Sequence, residues 1–141
     1  MDEANITPDK FLPGYRVLDL TDEKGMFCTK LLADYGADVI KIEPLLGDPE
    51  RRKGPFPLDE PGANNSLYYA FFNTNKRSIT LNIETKTGGD LLRTLASKAD
   101  VLVESHSPGY LEHLGMGYGE LSNVNPGLVM ASITPFGQTG P

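Results

Sequence analysis

The chain has 141 residues, of which 39% are hydrophobic and 23% are charged, and this composition fits one compact globular domain rather than a disordered segment. The formal net charge of -6 argues against a nucleic-acid partner, and no apolar run approaches the roughly 20 residues that cross a membrane. A single cysteine, Cys28, excludes an internal disulfide, so we expect a cytoplasmic protein in which Cys28 fills the core.

Strand and helix signals begin after a polar leader at residues 1–11. Residues 15–20 alternate apolar and polar side chains, which predicts a first strand. A short helix follows, and Gly36 stands where its C-terminal cap belongs. The apolar side chains of this helix fall on one face and are Phe27, Leu31, Leu32 and Tyr35.

The next segment completes a strand, helix and strand unit. Residues 37–43 are rich in β-branched side chains and end before Pro44, which predicts a second strand. Because the connection between the two strands is short, a right-handed parallel βαβ unit is the expected geometry. Residues 44–66 are rich in glycine and proline and predict a long irregular loop of the kind that usually has a function.

The second half of the chain repeats the alternation of strands and helices. Residues 77–83 predict a third strand, Thr85 or Thr87 can cap a helix, and residues 101–104 predict a fourth strand. The remaining signals are a short helix at residues 108–115, a helical turn at 120–124 and a strand at 128–133.

This pattern predicts an α/β fold over residues 12–141. The alternation favours a Rossmann-like, doubly wound and mostly parallel sheet of about five strands, with helices on both faces.

The turn between the first strand and helix has the layout of a dinucleotide site. Residues 21–25 form the turn, and Glu43 at the tip of the next strand could bind a ribose hydroxyl. The dinucleotide fingerprint requires three glycines, however, and only Gly25 is present. This motif alone leaves two interpretations open, an NAD site and a purely structural turn.

Two basic clusters interrupt an otherwise acidic chain. Arg51, Arg52 and Lys53 form the first, and Lys76 and Arg77 form the second. Both clusters lie beside residues that permit tight turns, which suits a pyrophosphate or a 3′-phosphate. Solvated loop charges are the alternative interpretation.

Residues 104–109 lie at the carboxyl end of a predicted parallel strand, where ligands of open α/β sheets collect. His106 could donate a hydrogen bond there or titrate near neutral pH. The adjacency of Ser105, His106 and Ser107 does not supply the geometry of a catalytic triad. The sequence also contains no metal-ligand cluster with sensible spacing, so no metal is expected.

Seven segments resemble class III CoA-transferases in their order along the chain. They are LDLT (18–21), LADYGADVIKIEP (32–44), GDP (47–49), NTNKRS (73–78), ADVLVE (99–104), SPG (107–109) and FGQTGP (136–141). This family is similar to formyl-CoA, carnitine and bile-acid CoA-transferases and to 2-methylacyl-CoA racemases. The resemblance implies a Rossmann-like region that binds coenzyme A.

Carried over by position, the resemblance implies a set of contacts to CoA. They are Glu23, Lys24, Pro44, Leu81, Asn82, Ile83, Glu84, Ser105, His106, Ser107 and His113. Relatives often have arginine at Pro44 and His113, and a frequent Asn-Phe stands where this chain has Ser105 and His106. The available cations for the phosphates are therefore Arg51, Arg52, Lys76 and Arg77.

The resemblance also implies the reaction and its partners. Family transferases move CoA from an acyl-CoA to a carboxylic acid through an aspartate, which becomes a mixed anhydride and then a CoA thioester. That aspartate is expected beyond Pro141, so residues 1–141 contain no catalytic residue and should be inactive alone. The whole protein is expected to be an interlocked homodimer. A CoA-dependent 2-methylacyl-CoA racemase and a non-catalytic CoA- or nucleotide-binding module are the alternatives.

Overall fold

A parallel sheet forms the centre of the computed structural model, which describes residues 11–140. The strands are β1 (Arg16–Leu20), β2 (Asp38–Glu43), β3 (Arg77–Thr80), β4 (Val101–Glu104) and β5 (Val129–Ser132). The helices are α1 (Met26–Asp34), α2 (Leu67–Phe72), α3 (Lys86–Ala96), α4 (Tyr110–His113) and α5 (Tyr118–Val124). The predicted leader lies outside the described residues except for Phe11.

The strand order is β3-β2-β1-β4-β5, and all four neighbouring pairs are parallel. The direction of chain progression reverses between β1 and β4, which confirms the predicted doubly wound fold. In such sheets the crevice at the carboxyl ends of the two strands beside the reversal is the usual ligand position.

Helices cover both faces of the sheet. On one face, Leu18, Ile40 and Leu102 pack with residues of α3, α4 and α5 in the larger core. On the other face, Val17, Val39 and Val103 pack with Ala33 of α1 in a smaller core. Burial on both faces explains why the central strands are almost continuously apolar. Within residues 11–140, no helix combines the length and hydropathy that a membrane crossing requires.

Helix α1 packs differently from the prediction. Its buried residues are Met26, Thr29 and Ala33, whereas Phe27, Leu31 and Tyr35 are 51%, 40% and 51% exposed. Cys28 is exposed as well, so the prediction that it fills the core is wrong. The hydroxyl of Thr29, on the buried face of α1, donates to the buried carboxylate of Asp19 at 2.6 Å.

The long loop contains more structure than its composition predicts. Two short 3₁₀ helices, Pro49–Arg52 and Pro57–Asp59, lie within it, and α2 follows it. Asp48 caps the first by accepting from the amide of Glu50, and Ser66 caps α2 by accepting from the amide of Tyr69. The sequence analysis predicted no helix at α2.

Both edges of the sheet are short strands with mostly exposed side chains. Strand β3 ends at Thr80 rather than at residue 83, because the chain turns at Asn82, whose carbonyl accepts from the amide of Thr85. Strand β5 is the other edge, and Val129 on it is 60% exposed.

The turn that leads into α3 has no space for a side chain at Gly88. Thr85 caps the helix, as predicted, by accepting from the amide of Gly88 at 3.1 Å. A Cβ atom on Gly88 would lie 1.8 Å from the carbonyl oxygen of Asn82.

We predict that Gly88→Ala lowers the free energy of unfolding by about 2 kcal/mol or more, because the backbone of the cap must move to relieve this overlap. The matched control is Gly119→Ala in α5, where a Cβ would meet nothing within 4 Å. That substitution should stabilise the chain by up to about 1 kcal/mol. Urea unfolding of the two variants checks the difference, and equal midpoints would contradict it.

Candidate functional site

A cleft of about 480 Å³ opens at the carboxyl edge of the sheet, beside the reversal in strand order. The segments that follow β1, β2, β3 and β4 line it together with Leu45 and Leu46 of the long loop and Tyr110 of α4. The predicted site residues found in its wall are Pro44, Leu81, Asn82, Ile83, Glu84, Ser105 and His106. The fold thus brings together segments that are far apart in the sequence.

Other predicted residues lie at the rim or away from the cleft. Lys24 and Ser107 line a smaller neighbouring cavity, and Glu23 pairs with Lys53. The guanidinium of Arg52 is exposed and donates to the carbonyl of Leu46 at 3.0 Å. His113 ends α4 as an exposed residue outside both cavities.

Arg51 is part of a side-chain cluster with Glu43 and Tyr69. Its Nε and Nη2 donate to the two oxygens of Glu43 at 2.6 and 2.7 Å, and its guanidinium lies 3.9 Å from the centre of the Tyr69 ring. Burial alone would raise the pKa of Glu43, but hydrogen bonds from Arg51, Ser78 and Tyr69 hold it well below its usual range. Glu43 therefore has its oxygens occupied by protein donors, which disfavours the ribose contact of an NAD site.

Lys76 points into the fold. Its side chain is 1% exposed, and Nζ donates to Asp19 at 2.9 Å, to Thr29 at 2.8 Å and to the carbonyl of Met26 at 3.0 Å. Arg77 lies at the opposite edge of the sheet, where it pairs with Asp38 at the start of β2. In this structure neither cation reaches the cleft.

A buried ion cluster lies under the cleft floor. Nζ of Lys41 is 2.8 Å from Asp48 and 3.9 Å from Asp19, and all three side chains are at most 5% exposed. Burial would raise the pKa of Asp19, but the charges of Lys41 and Lys76 lower it. For Asp48 burial prevails over Lys41, and the pKa is raised. This cluster was not predicted from the sequence, although a lysine within the apolar strand at residues 37–43 indicates a buried charge that needs a partner.

Ser105 connects the two strands at the reversal. Its hydroxyl donates to Oδ1 of Asp22 at 2.7 Å and accepts from the amide of Asp22 at 2.8 Å. Burial would raise the pKa of Asp22, but hydrogen bonds from Lys24 and Ser105 lower it. The two hydrogen bonds between Ser105 and Asp22 fix the turn after β1 against the end of β4.

His106 and Tyr110 form one wall of the cleft. Their ring centres are 4.5 Å apart with planes tilted by 31°, and the Tyr110 hydroxyl donates to Glu84 at 3.0 Å. Burial lowers the pKa of His106, which favours the neutral imidazole near pH 7. Tyr110 was not predicted as a site residue, although it follows His106 by only four residues.

The walls of the cleft are largely apolar and include Ile42, Leu45 and Leu46. The carboxylates in its wall, including Asp22, Glu43, Asp48 and Glu84, all have partners within the protein. Among residues 11–140, no group of three or more histidine, cysteine, aspartate or glutamate residues could hold a metal ion. These features define a Rossmann-like domain with a cleft at the carboxyl edge of its sheet.

The chain belongs to CoA-transferase family III, whose family model matches residues 12–141. It is 49% identical over 127 residues to the BbsE subunit of succinyl-CoA:(R)-benzylsuccinate CoA-transferase from Thauera aromatica, which covers 90% of this chain. It is 42% identical over 142 residues to human succinyl-CoA:glutarate CoA-transferase, which covers 99% of this chain. The chain spans 31% of the length of each of these relatives.

Solved structures agree with this membership. Rv3272 from Mycobacterium tuberculosis superposes with a TM-score of 0.86 at 37% identity, over 95% of this chain and 37% of that protein. A CAIB/BAIF family protein from Brucella suis superposes with a TM-score of 0.84 at 38% identity, over 94% of this chain and 35% of that protein. The predicted fold and the family resemblance are both confirmed.

We predict that Lys41→Met lowers the free energy of unfolding by about 3–5 kcal/mol, because it leaves the buried carboxylate of Asp48 without its cation and takes one of two cations from Asp19. Arg77→Met is the control, because Arg77 is 62% exposed and surface pairs contribute about 1 kcal/mol or less. Thermal and urea unfolding near pH 7 measure both variants. A loss of less than 1 kcal/mol for Lys41→Met would show that the cluster does not stabilise the fold.

Proposed function

We propose that residues 12–141 form the CoA-binding part of an enzyme that transfers CoA from an acyl-CoA to a carboxylic acid. The observation that carries this proposal is the cleft itself. Three chain segments that the family resemblance assigns to CoA, at Pro44, at residues 81–84 and at Ser105 with His106, converge on it at the reversal in strand order. Family membership supplies the chemical class of the ligand.

The wall of the cleft suits the uncharged parts of CoA. Leu45, Leu46 and Pro44 present apolar surface from one side, and the stacked ring of Tyr110 faces the cleft from α4. An adenine ring or the pantetheine chain can pack against such surfaces. The two leucines are 65% and 84% exposed, so a ligand would remove considerable apolar area from water.

The phosphates of CoA are then assigned to the rim. Lys24, Arg52 and Lys53 have exposed or half-exposed cationic groups near the start of α1 and on the long loop. Arg51 and Lys76, which the sequence analysis assigned to phosphates, are held by Glu43 and Asp19. Their role in this proposal is to fix the loop and α1 rather than to bind the ligand.

The domain binds and orients CoA, while the covalent step belongs to another residue. The paired carboxylates of the cleft are poor nucleophiles, because attack would first require breaking their ion pairs or hydrogen bonds. The aspartate that forms the anhydride has no counterpart matched by the resemblance within residues 1–141. The whole protein is proposed to be an interlocked homodimer, and the exposed aromatic residues Phe27 and Phe71 on α1 and α2 are available for such contacts.

We predict that purified residues 1–141 bind CoA more tightly than NADH, since Glu43 is unavailable for a ribose while the rim carries cations for phosphates. Arg52→Ala should weaken CoA binding by about tenfold, the loss expected for one charged hydrogen bond. Arg16→Ala is the control, because Arg16 pairs with Asp38 at the opposite edge of the sheet. Calorimetry with CoA, dephospho-CoA and NADH measures these affinities.

Two results would count against the assignment. A clear preference for NADH would replace the CoA site with a dinucleotide site. An equal loss from Arg52→Ala and Arg16→Ala would show that the rim does not hold the phosphates. Arg77→Ala, measured in the same series, tests the sequence-based prediction that Arg77 contacts a phosphate.

We also predict that residues 1–141 alone show no CoA transfer, because none of the carboxylates in the described cleft is free to act as the nucleophile. The assay follows exchange of CoA between succinyl-CoA and a free dicarboxylic acid by chromatography. Sustained exchange above the uncatalysed rate would mean that one of these carboxylates, or a residue outside the cleft, performs the covalent step.

A further inference from the structure

His106 lies between two cavities at the carboxyl edge of the sheet. It lines the main cleft of about 480 Å³ and also a smaller cavity of about 200 Å³. Lys24, Ser107 and Thr134 line the smaller cavity as well. The hydroxyl oxygen of Thr134 is buried and has no hydrogen-bond partner within residues 11–140. The smaller cavity therefore contains one buried hydroxyl that the described residues do not satisfy.

The described part of the protein holds the imidazole ring of His106 in place without forming a hydrogen bond to its nitrogens. Stacking on Tyr110 fixes the plane of the ring, and the backbone amide of His106 donates to Glu104 at 2.7 Å. Between residues 11 and 140, neither ring nitrogen makes a hydrogen bond. Both nitrogens are thus available to a ligand that passes between the two cavities.

The charged groups around the ring come from β4, from the turn after β1 and from β2. Glu104 at the end of β4 and Asp22 after β1 favour the imidazolium, whereas Lys24 after β1 and Lys41 on β2 oppose it. Tyr110 on α4 contributes an aromatic face whose hydroxyl is bonded to Glu84. Burial is the largest influence, and it keeps the pKa of His106 below its ordinary value in the empty site.

We propose that His106 couples the binding of an anionic ligand in this cleft to the uptake of one proton from solvent. The inference rests on the proposed CoA site. An anion placed beside the ring favours the imidazolium, so the bound state holds a proton that the empty state releases. By linkage, the proton must then favour the anion to the same extent.

The direction in which affinity changes with pH follows from the protonation of His106 in the free and in the bound protein. Above the pKa of the complex, His106 is neutral with and without ligand, and affinity does not depend on its titration. As the pH falls through that value, affinity rises, and it levels off below the pKa of the empty site. Each unit by which binding raises this pKa gives a tenfold gain in affinity at low pH.

Dephospho-CoA is the suitable probe. The 3′-phosphate of CoA has a second pKa near 6 and would titrate in the same range as the imidazole. Dephospho-CoA lacks this phosphomonoester and keeps the pyrophosphate charge constant between about pH 6 and 8. Calorimetry at pH 6.5 in PIPES and in imidazole buffer counts the protons taken up, because the two buffers differ in ionisation enthalpy.

The decisive variant is His106→Gln, which keeps a polar group but cannot titrate. Between pH 8 and pH 6 the affinity of the wild-type chain for dephospho-CoA should rise about tenfold, whereas the affinity of the variant should change by less than about twofold, whatever its absolute value. A purely structural role of His106 would lower affinity equally at both pH values. His113→Gln, which removes the chain's other histidine, should keep the proton uptake of the wild type.

The outcomes of these measurements distinguish a failure of the inference about His106 from a failure of the proposed CoA site. Binding of dephospho-CoA without proton uptake by the wild-type chain would overturn the role of His106 and leave the CoA site in place. Proton uptake that survives in His106→Gln would assign the coupling to another group and overturn the inference as well. No binding of CoA or dephospho-CoA from pH 6 to 8 would overturn the proposed function and this inference together.

Discussion

The ion cluster of Asp19, Lys41 and Asp48 is the interaction on which the ligand cleft depends. It connects the end of β1 and the middle of β2 with the start of the long loop, and the amide of Asp48 also donates to Glu43 at 2.8 Å. Such buried charges stabilise a structure only when each has its partner and its remaining hydrogen bonds. The cluster therefore requires the loop to lie over the sheet edge, and that loop supplies one wall of the cleft.

Basic residues that appear equivalent in the sequence differ in the fold. Some are held by carboxylates of the protein, and others remain exposed. Arg51 and Arg52 are adjacent, yet one forms a bidentate pair with Glu43 and the other has an exposed guanidinium. The short 3₁₀ helix explains the difference, because neighbouring side chains on it point in different directions. Lys76 is similarly drawn inward by the acceptors around Asp19. Counting the basic residues of such a cluster in the sequence therefore overestimates how many of them can contact a phosphate.

The sequence was sufficient for the strands, because runs of β-branched residues between turns identify parallel strands directly, as at residues 101–104. It misplaced the inner face of α1, since periodicity could not reveal that Thr29 bonds to a buried carboxylate while Phe27 packs edge to face with Phe72 of α2. Fewer than half of the residues that line the cleft were assigned to CoA through the family resemblance. The partners that orient them, such as Tyr110 for His106, depend on contacts between segments that no local pattern encodes.

Strand β5 has a consequence for handling the chain. Its sequence, Val129–Ser132, contains neither a charged residue nor proline, and its outer edge is not paired within the described residues. Natural edge strands commonly carry such residues to prevent strand addition by another molecule. Here the net charge of -6 provides the opposing repulsion, which salt screens. Colloidal stability of the chain is accordingly greatest at low ionic strength and well above its isoelectric point of about 4.8.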